Sequence, residues 1–173
     1  MVIDLFDEQR KKNLYQEKSE EKKTIGIVSF DLGDEIIGIE LKYILEIINL
    51  TNITKLYKVP DYLIGITNLR GQIKPVIDLK KFLNIHSVDH RNDSQEKKGL
   101  LLNYEEFDAI VVVDSINKVE WIPEEDLREP PDTTPDNLKE FTNFLVYTKS
   151  KPIVVISGEK ILNSDMWNQY KEE

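Results

Sequence analysis

Gly65-Ile66-Thr67-Asn68-Leu69-Arg70-Gly71-Gln72-Ile73-Lys74-Pro75-Val76-Ile77-Asp78-Leu79 reads as a strand, a tight turn on Arg70-Gly71, and a second strand that stops at Asp78. An arginine at the tip of such a hairpin is held out of the core with its fork of donors free, and a planar donor fork suits the carboxylate or carbonyl groups of a partner. No nucleophile, general base or metal ligand accompanies it. The stretch is a docking feature, weighed against the plainer alternative that Arg70-Gly71 merely closes a hairpin.

Outward from this hairpin the chain keeps a β texture. Upstream, Thr24 to Asp31 is rich in Ile, Val and Phe, and Leu32-Gly33-Asp34-Glu35 turns it into Ile36 to Ile39. Leu41 to Tyr43 reads as one helical turn, followed by strands over Ile44 to Ile48 and Thr54 to Tyr57. Downstream, Lys80 to Leu83 suggests a short helix, and the chain then turns polar from Asn84 to Lys98. Strands resume over Gly99 to Tyr104, Phe107 to Asp114 and Ile116 to Trp121. Pro123, Pro130, Pro131 and Pro135 then break regular pairing. Phe141 to Tyr147 and Ile153 to Ser157 form a last hairpin before a terminal helix that starts at Glu159. Many strands of four to eight residues with brief helices point to a mainly β fold, a barrel or a pair of barrels.

The 173 residues favour one domain or two closely joined small ones, long enough to bury about two thirds of the unfolded surface. The chain has no cysteine, which excludes a disulfide scaffold and a thiolate zinc site and fits a reducing compartment. Met1 to Phe6 lacks the apolar run of an export signal, and no stretch approaches the roughly 20 apolar residues of a membrane span. A cytoplasmic location is expected. The net charge of −9 argues against nucleic acid and against an anionic membrane surface. Residues 1–23 hold six acids and six bases, so this segment is neutral and the remainder carries the whole −9. Its apolar residues are sparse after Phe6, and it reads as a charged tail, helical or disordered. Leu5, Phe6 and Leu14 could form a thin stripe able to dock on the body or on a partner.

Nothing in the chain assembles an active site. His86 and His90 are four apart but lie in the most polar stretch, where exposed loop histidines are the expectation. Gly-x-Ser-x-Gly and Gly-rich phosphate cradles are absent. Glu105-Glu106 and Glu124-Glu125-Asp126 fall in turns and read as solvated charge. Asp78 and Asp114 each end an apolar strand, where a carboxylate accepts N–H bonds from the turn that follows. Trp121 and Trp167 read as packing residues.

In order, Phe30-Asp31-Leu32-Gly33-Asp34-Glu35 with Gly38-Ile39, Ile44-Leu45-Glu46-Ile47, Gly65 to Gly71, Pro75 to Leu79, and Val112-Val113-Asp114 resemble the chemotaxis coupling-protein (CheW) family over roughly Thr24 to Leu162. The resemblance implies two small five-stranded SH3-like β-barrels packed together. The first would span about 24–83 and the second about 99–157, joined by a linker over 84–98, all within a domain of 24–163, with a helix and tail over 158–173. It implies an adaptor, not an enzyme, without cofactor or metal. Its partners would be the cytoplasmic tip of a methyl-accepting chemoreceptor and the regulatory domain of a CheA-type histidine kinase. The chain would be a monomer alone, assembled in membrane-associated receptor arrays, with no nucleic acid and no membrane insertion.

Carried over by position, the receptor-docking groove would use Ile44 and Glu46, the turn residues Gly65, Asn68, Leu69, Arg70 and Gly71, and Ile116 and Val119 on the opposite side. Strand alternation would put Ile44 and Glu46 on one face. Arg70 and Glu46 could instead simply pair with each other. Rival readings are a CheW-like regulatory module of another motility or two-component pathway without a chemoreceptor, and a small-ligand barrel. Lys74, Lys98, Asn143-Phe144 and Pro152 depart from the family pattern and bear on the second barrel.

Overall fold

The computed structural model describes residues 22–87 and 96–167. The expected tail over 1–23 therefore lies outside the described residues except for Lys22 and Lys23, as do His90, most of the polar linker, and residues 168–173.

The chain is mainly β, as its alternating apolar runs dictate. Strands β1 (Thr24–Leu32) and β2 (Glu35–Glu40) turn on Gly33, whose φ of +65° a side chain would resist. A 3₁₀ turn over Leu41–Tyr43 leads to β3 (Ile44–Leu50), β4 (Thr54–Lys55), β5 (Leu63–Leu69) and β6 (Gln72–Asp78). The strand expected to reach Tyr57 ends at Lys55, and Lys58 takes a positive φ of 60° just beyond. Helix α1 (Leu79–Phe82) follows, capped by Asp78 Oδ1, which accepts the Lys81 N–H at 3.2 Å. After it come β7 (Lys97–Tyr104), β8 (Phe107–Val113), β9 (Ser115–Pro123), a 3₁₀ turn over Glu124–Asp126, and β10 (Leu127–Arg128). Helix α2 (Asp136–Lys139), β11 (Thr142–Val146), β12 (Ile153–Ile156), helix α3 (Gly158–Leu162) and a 3₁₀ turn over Asp165–Trp167 complete the fold.

Two sheets result. One runs β10, β11, β12, β2, β1, β9, and the other β3, β7, β8, β6, β5, β4. Each has six strands where five were expected, because the two-residue strands β4 and β10 add a short edge to five long ones. Neither pairing closes into a ring. At the end of β9, Pro123 brings no N–H and the 3₁₀ turn carries the chain away before β10. The sheets also do not divide at 84–98. Residues 24–40 join 115–156 in the first sheet, while 44–113 make the second, so the linker lies inside the second sheet's own run. The cause is the pairing of β1 with β9 and of β12 with β2, which joins segments distant in sequence.

Three apolar clusters hold this together. Val28, Phe30, Ile37 and Ile39 of the first sheet meet Ile77, Leu100, Leu102 and Val111 of the second in a shared core. Ile48, Val76, Leu101, Ile110 and Val112 fill the other face of the second sheet, and Ile27, Val146, Ile153 and Val155 that of the first. Trp167 is buried in the shared core, donates from Nε1 to the Ile161 carbonyl at 2.7 Å, and stacks on Phe82 at 5.8 Å. Burying a large aromatic with its N–H satisfied fixes the C-terminal turn against both sheets.

Candidate docking surface

Arg70 and Gly71 occupy the two-residue loop between β5 and β6, with φ of +53° and +84°. Positive φ at both positions is what a tight hairpin turn of the favoured twist demands, and glycine at the second removes half of the strain. Asn68 Oδ1 accepts the Gly71 N–H at 2.8 Å and braces the turn. Arg70 thus projects from a rigid support with its side chain 74% exposed.

Its Nη2 lies 2.8 Å from Glu46 Oε1. Glu46 is on β3, one end of the second sheet, whereas the hairpin lies next to the other end, so this ion pair spans the curl of the sheet over its inner core. Leu69 tucks beneath it against that core. Gly65 has a different role. A Cβ there would fall 2.1 Å from the Thr54 carbonyl oxygen, so this glycine permits the close approach of β4 and β5 and is a packing residue.

Ile44 and Glu46 do not share a face. Ile44 pairs with Leu102 but Glu46 pairs with Leu101, so Leu45 is an extra residue in a β-bulge that shifts the alternation by one. Directly opposed residues point the same way, which sends Ile44 with Leu102 toward the shared core and Glu46 with Leu101 toward the inner core. The bulge leaves Leu45 60% and Ile47 45% exposed.

On the first sheet, Ile116 pairs with Phe30, Val119 with Val28 and Trp121 with Gly26, so all three face the shared-core side along the end strand β9. Ile116 is partly buried there, Val119 is exposed, and Trp121 is 64% exposed. Trp121 is thus no core residue. Its ring and Leu41 meet over Gly26, where a Cβ would lie 3.1 Å from each. The structure therefore brings Arg70, Glu46, Asn68, Leu69 and Gly71 together, sets Ile44, Ile116 and Val119 at the margin of the shared core, and adds Leu45, Ile47 and Trp121. Pro123, closing the strand after Trp121, was the one signal in the sequence that marked β9 as an edge.

The departures from the family pattern have partners of their own. Lys74 pairs with Asp108 at 2.8 Å, Lys98 with Asn49, and Asn143 sits in a bulge of β11 where its amide reaches Glu40 at 3.4 Å. Glu40 is buried and also holds Lys42 at 3.0 Å, and the hydrogen bond that Lys42 donates to Glu40 pushes the ammonium above its ordinary value. Asp114 is another surprise. Its Oδ2 accepts the N–H of Gly33, 81 residues away. Exposed His86 has no cluster around it, and among the described residues no group of three His, Asp or Glu side chains could hold a metal ion. No helix among them is long and apolar enough to cross a membrane.

A family model described as CheW-like domain matches residues 26–166. Similar proteins include a chemotaxis protein CheW of Treponema pallidum, 27% identical over 139 residues covering 80% of this chain and 82% of the relative. Another, of Helicobacter pylori, is 25% identical over 166 residues covering 94% and 96%. Among solved structures, the scaffolding protein TtCheW from Thermoanaerobacter tengcongensis superposes with a TM-score of 0.68 at 32% identity, covering 78% of this chain and 89% of that one. With a family model spanning most of its length and a matching scaffold in three dimensions, the chain belongs to the CheW-like domain family.

Proposed function

We propose that this chain is a chemotaxis adaptor that couples the cytoplasmic tip of a chemoreceptor to the regulatory domain of a CheA-type histidine kinase, without chemistry of its own. The observation that carries the reading is Arg70, a guanidinium held out by a left-handed turn, aimed by Glu46, and mostly exposed. Its fork can take a carboxylate or a pair of carbonyls on a partner helix, and the separate apolar margin of Ile44, Ile116 and Val119 at the shared core offers area for a greasy stripe. The similar proteins, two chemotaxis proteins CheW and a scaffolding protein, support the same reading. Acting in the cytoplasm at membrane-associated arrays, such an adaptor gains tight assembly from many weak contacts, because each bound neighbour raises the effective concentration of the next.

The test is titration of a receptor-tip peptide or fragment with the wild-type chain and Arg70→Ala. A loss of about 2 kcal/mol, the scale of an interface hot spot, is expected in a folded variant. Unchanged affinity would remove Arg70 from the surface and with it the main support for the receptor contact.

A further inference from the structure

Strand β9 ends the first sheet. It pairs with β1 along one edge, and among the described residues no strand pairs with the other. A groove of about 410 Å³ keeps that edge open, with Asn117, Lys118 and Glu120 on one bank and Thr148, Lys149 and Ser150 on the other. Nine residues make a long edge to leave bare, because half of a strand's N–H and C=O groups then face outward as a template for another strand.

The sequence of β9 says which strand fits. Lys118-Val119-Glu120 places opposite charges on either side of an apolar residue. Their register with Ser29, Val28 and Ile27 on β1 is regular, so the two charged side chains share one face and Val119 takes the other. In an antiparallel pair centred on Val119, the residue before it opposes the residue after it in the second strand. With two strands of this same sequence, Lys118 of each copy meets Glu120 of the other, Val119 meets Val119, and Trp121 lies opposite Asn117. A lysine on an edge ordinarily repels such pairing. Here its counter-charge stands two residues along the same strand. The Lys118 ammonium already lies 2.7 Å from Glu120 Oε1 within the chain, so pairing sets four charges alternating in a square. On the other face Val119, 49% exposed, gains apolar cover.

We propose that a second copy of this chain docks edge to edge on β9, antiparallel about a two-fold axis at Val119. Because each copy offers the same edge, the pairing closes at two and leaves no edge for a third. The −9 charge of each copy opposes the approach, so the dimer forms at high concentration and once salt screens that repulsion. It departs from the lone monomer that the family resemblance implies. Since Val119 also belongs to the docking surface proposed above, the dimer withholds that residue from a receptor tip, and this consequence alone rests on that proposal.

Sedimentation equilibrium over a range of concentrations tests the dimer with no partner present, and circular dichroism checks the fold of each variant. The wild type is expected to dimerise. Lys118→Glu and Glu120→Lys should each weaken association roughly tenfold, because both cross-strand pairs become like-charged. The two reversals move the net charge in opposite directions, so a shared loss cannot come from net charge. Lys118→Glu/Glu120→Lys should recover the dimer, since the exchanged charges are complementary again. The chain has no cysteine, so Val119→Cys puts a single thiol at the axis, where oxidation should join two copies. A wild type that stays monomeric throughout, association that ignores both reversals, or a folded double exchange that fails to recover would each overturn the proposal. Receptor-tip titration of Val119→Cys, reduced against oxidised, separates the two ideas. Binding lost on oxidation supports occlusion, whereas equal binding upholds the dimer and removes Val119 from the receptor surface.

Discussion

Lys80 sets its ammonium 3.3 Å from Asp114 Oδ2, and the same oxygen accepts the Gly33 N–H at 2.7 Å. One carboxylate therefore ties the β1–β2 turn of the first sheet to α1, which packs on the second. Both side chains are largely buried, so water screens the pair little and losing one member is costly.

Asp114→Asn is expected to destabilise the fold by about 2–4 kcal/mol, since it keeps an acceptor for Gly33 yet strips a counter-charge from buried Lys80. Urea unfolding at neutral pH measures this. Pairing the change with Lys80→Met should recover part of the loss, because no charge is then left to be compensated; an additive double variant would deny the coupling.

Acid should weaken a second pair selectively. Burial alone would raise the Asp108 carboxyl, but hydrogen bonds from Lys74 and Asn103 and the Lys74 charge hold it below its ordinary value of 3.8. A carboxyl depressed in the folded state stabilises that state above its unfolded value and loses the contribution as pH falls toward the folded one. Lys74→Met should therefore cost about 2 kcal/mol at pH 7, the scale of a charge-assisted hydrogen bond, and progressively less below pH 3.8. Unfolding curves that stay equally displaced at both pH values would contradict the assignment.

Two glycines of the signature hairpin should respond differently to alanine. Gly65→Ala drives a Cβ to 2.1 Å from the Thr54 carbonyl oxygen, where backbone must move, and a loss of about 3 kcal/mol or more is expected. At Gly71 a Cβ would meet nothing within 4 Å, so only the positive φ of +84° opposes it, at about 1 kcal/mol. Thermal unfolding of the two variants side by side checks the order, and a Gly71 variant as unstable as the Gly65 one would show that the turn is confined by more than its dihedral angle.

How much of this was legible beforehand depends on how local each cause is. The Arg70-Gly71 turn and the Asp78 cap follow from residues within three positions of each other, and both stand where the sequence placed them. The bulge at Leu45 leaves no trace in β3's own sequence, because an apolar run reads the same whether or not the alternation slips, and so Ile44 and Glu46 were put on one face. The division of strands between the sheets was hidden for a related reason: Ile37 pairs with Val154 and Asp78 with Val112, and no neighbour in sequence announces either pairing. Lys74 looked anomalous until Asp108, on the adjacent parallel strand, supplied its counter-charge.

The Arg70–Glu46 pair itself offers the test that best separates architecture from function. With Arg70 so exposed, the ion pair should contribute no more than about 1 kcal/mol to folding, so Arg70→Ala and Glu46→Ala are both expected to unfold within a few degrees of the wild type. Their effects on a receptor tip should be unequal and coupled. Removing Arg70 would delete the proposed contact, at roughly 2 kcal/mol; removing Glu46 would only free the guanidinium to wander, at a smaller loss. If Glu46 acts solely by aiming Arg70, the double variant binds no worse than Arg70→Ala alone, a non-additivity that a double-mutant cycle reads directly. Strict additivity would mean that Glu46 touches the partner independently, and that the surface is broader on the β3 side than the ion pair suggests.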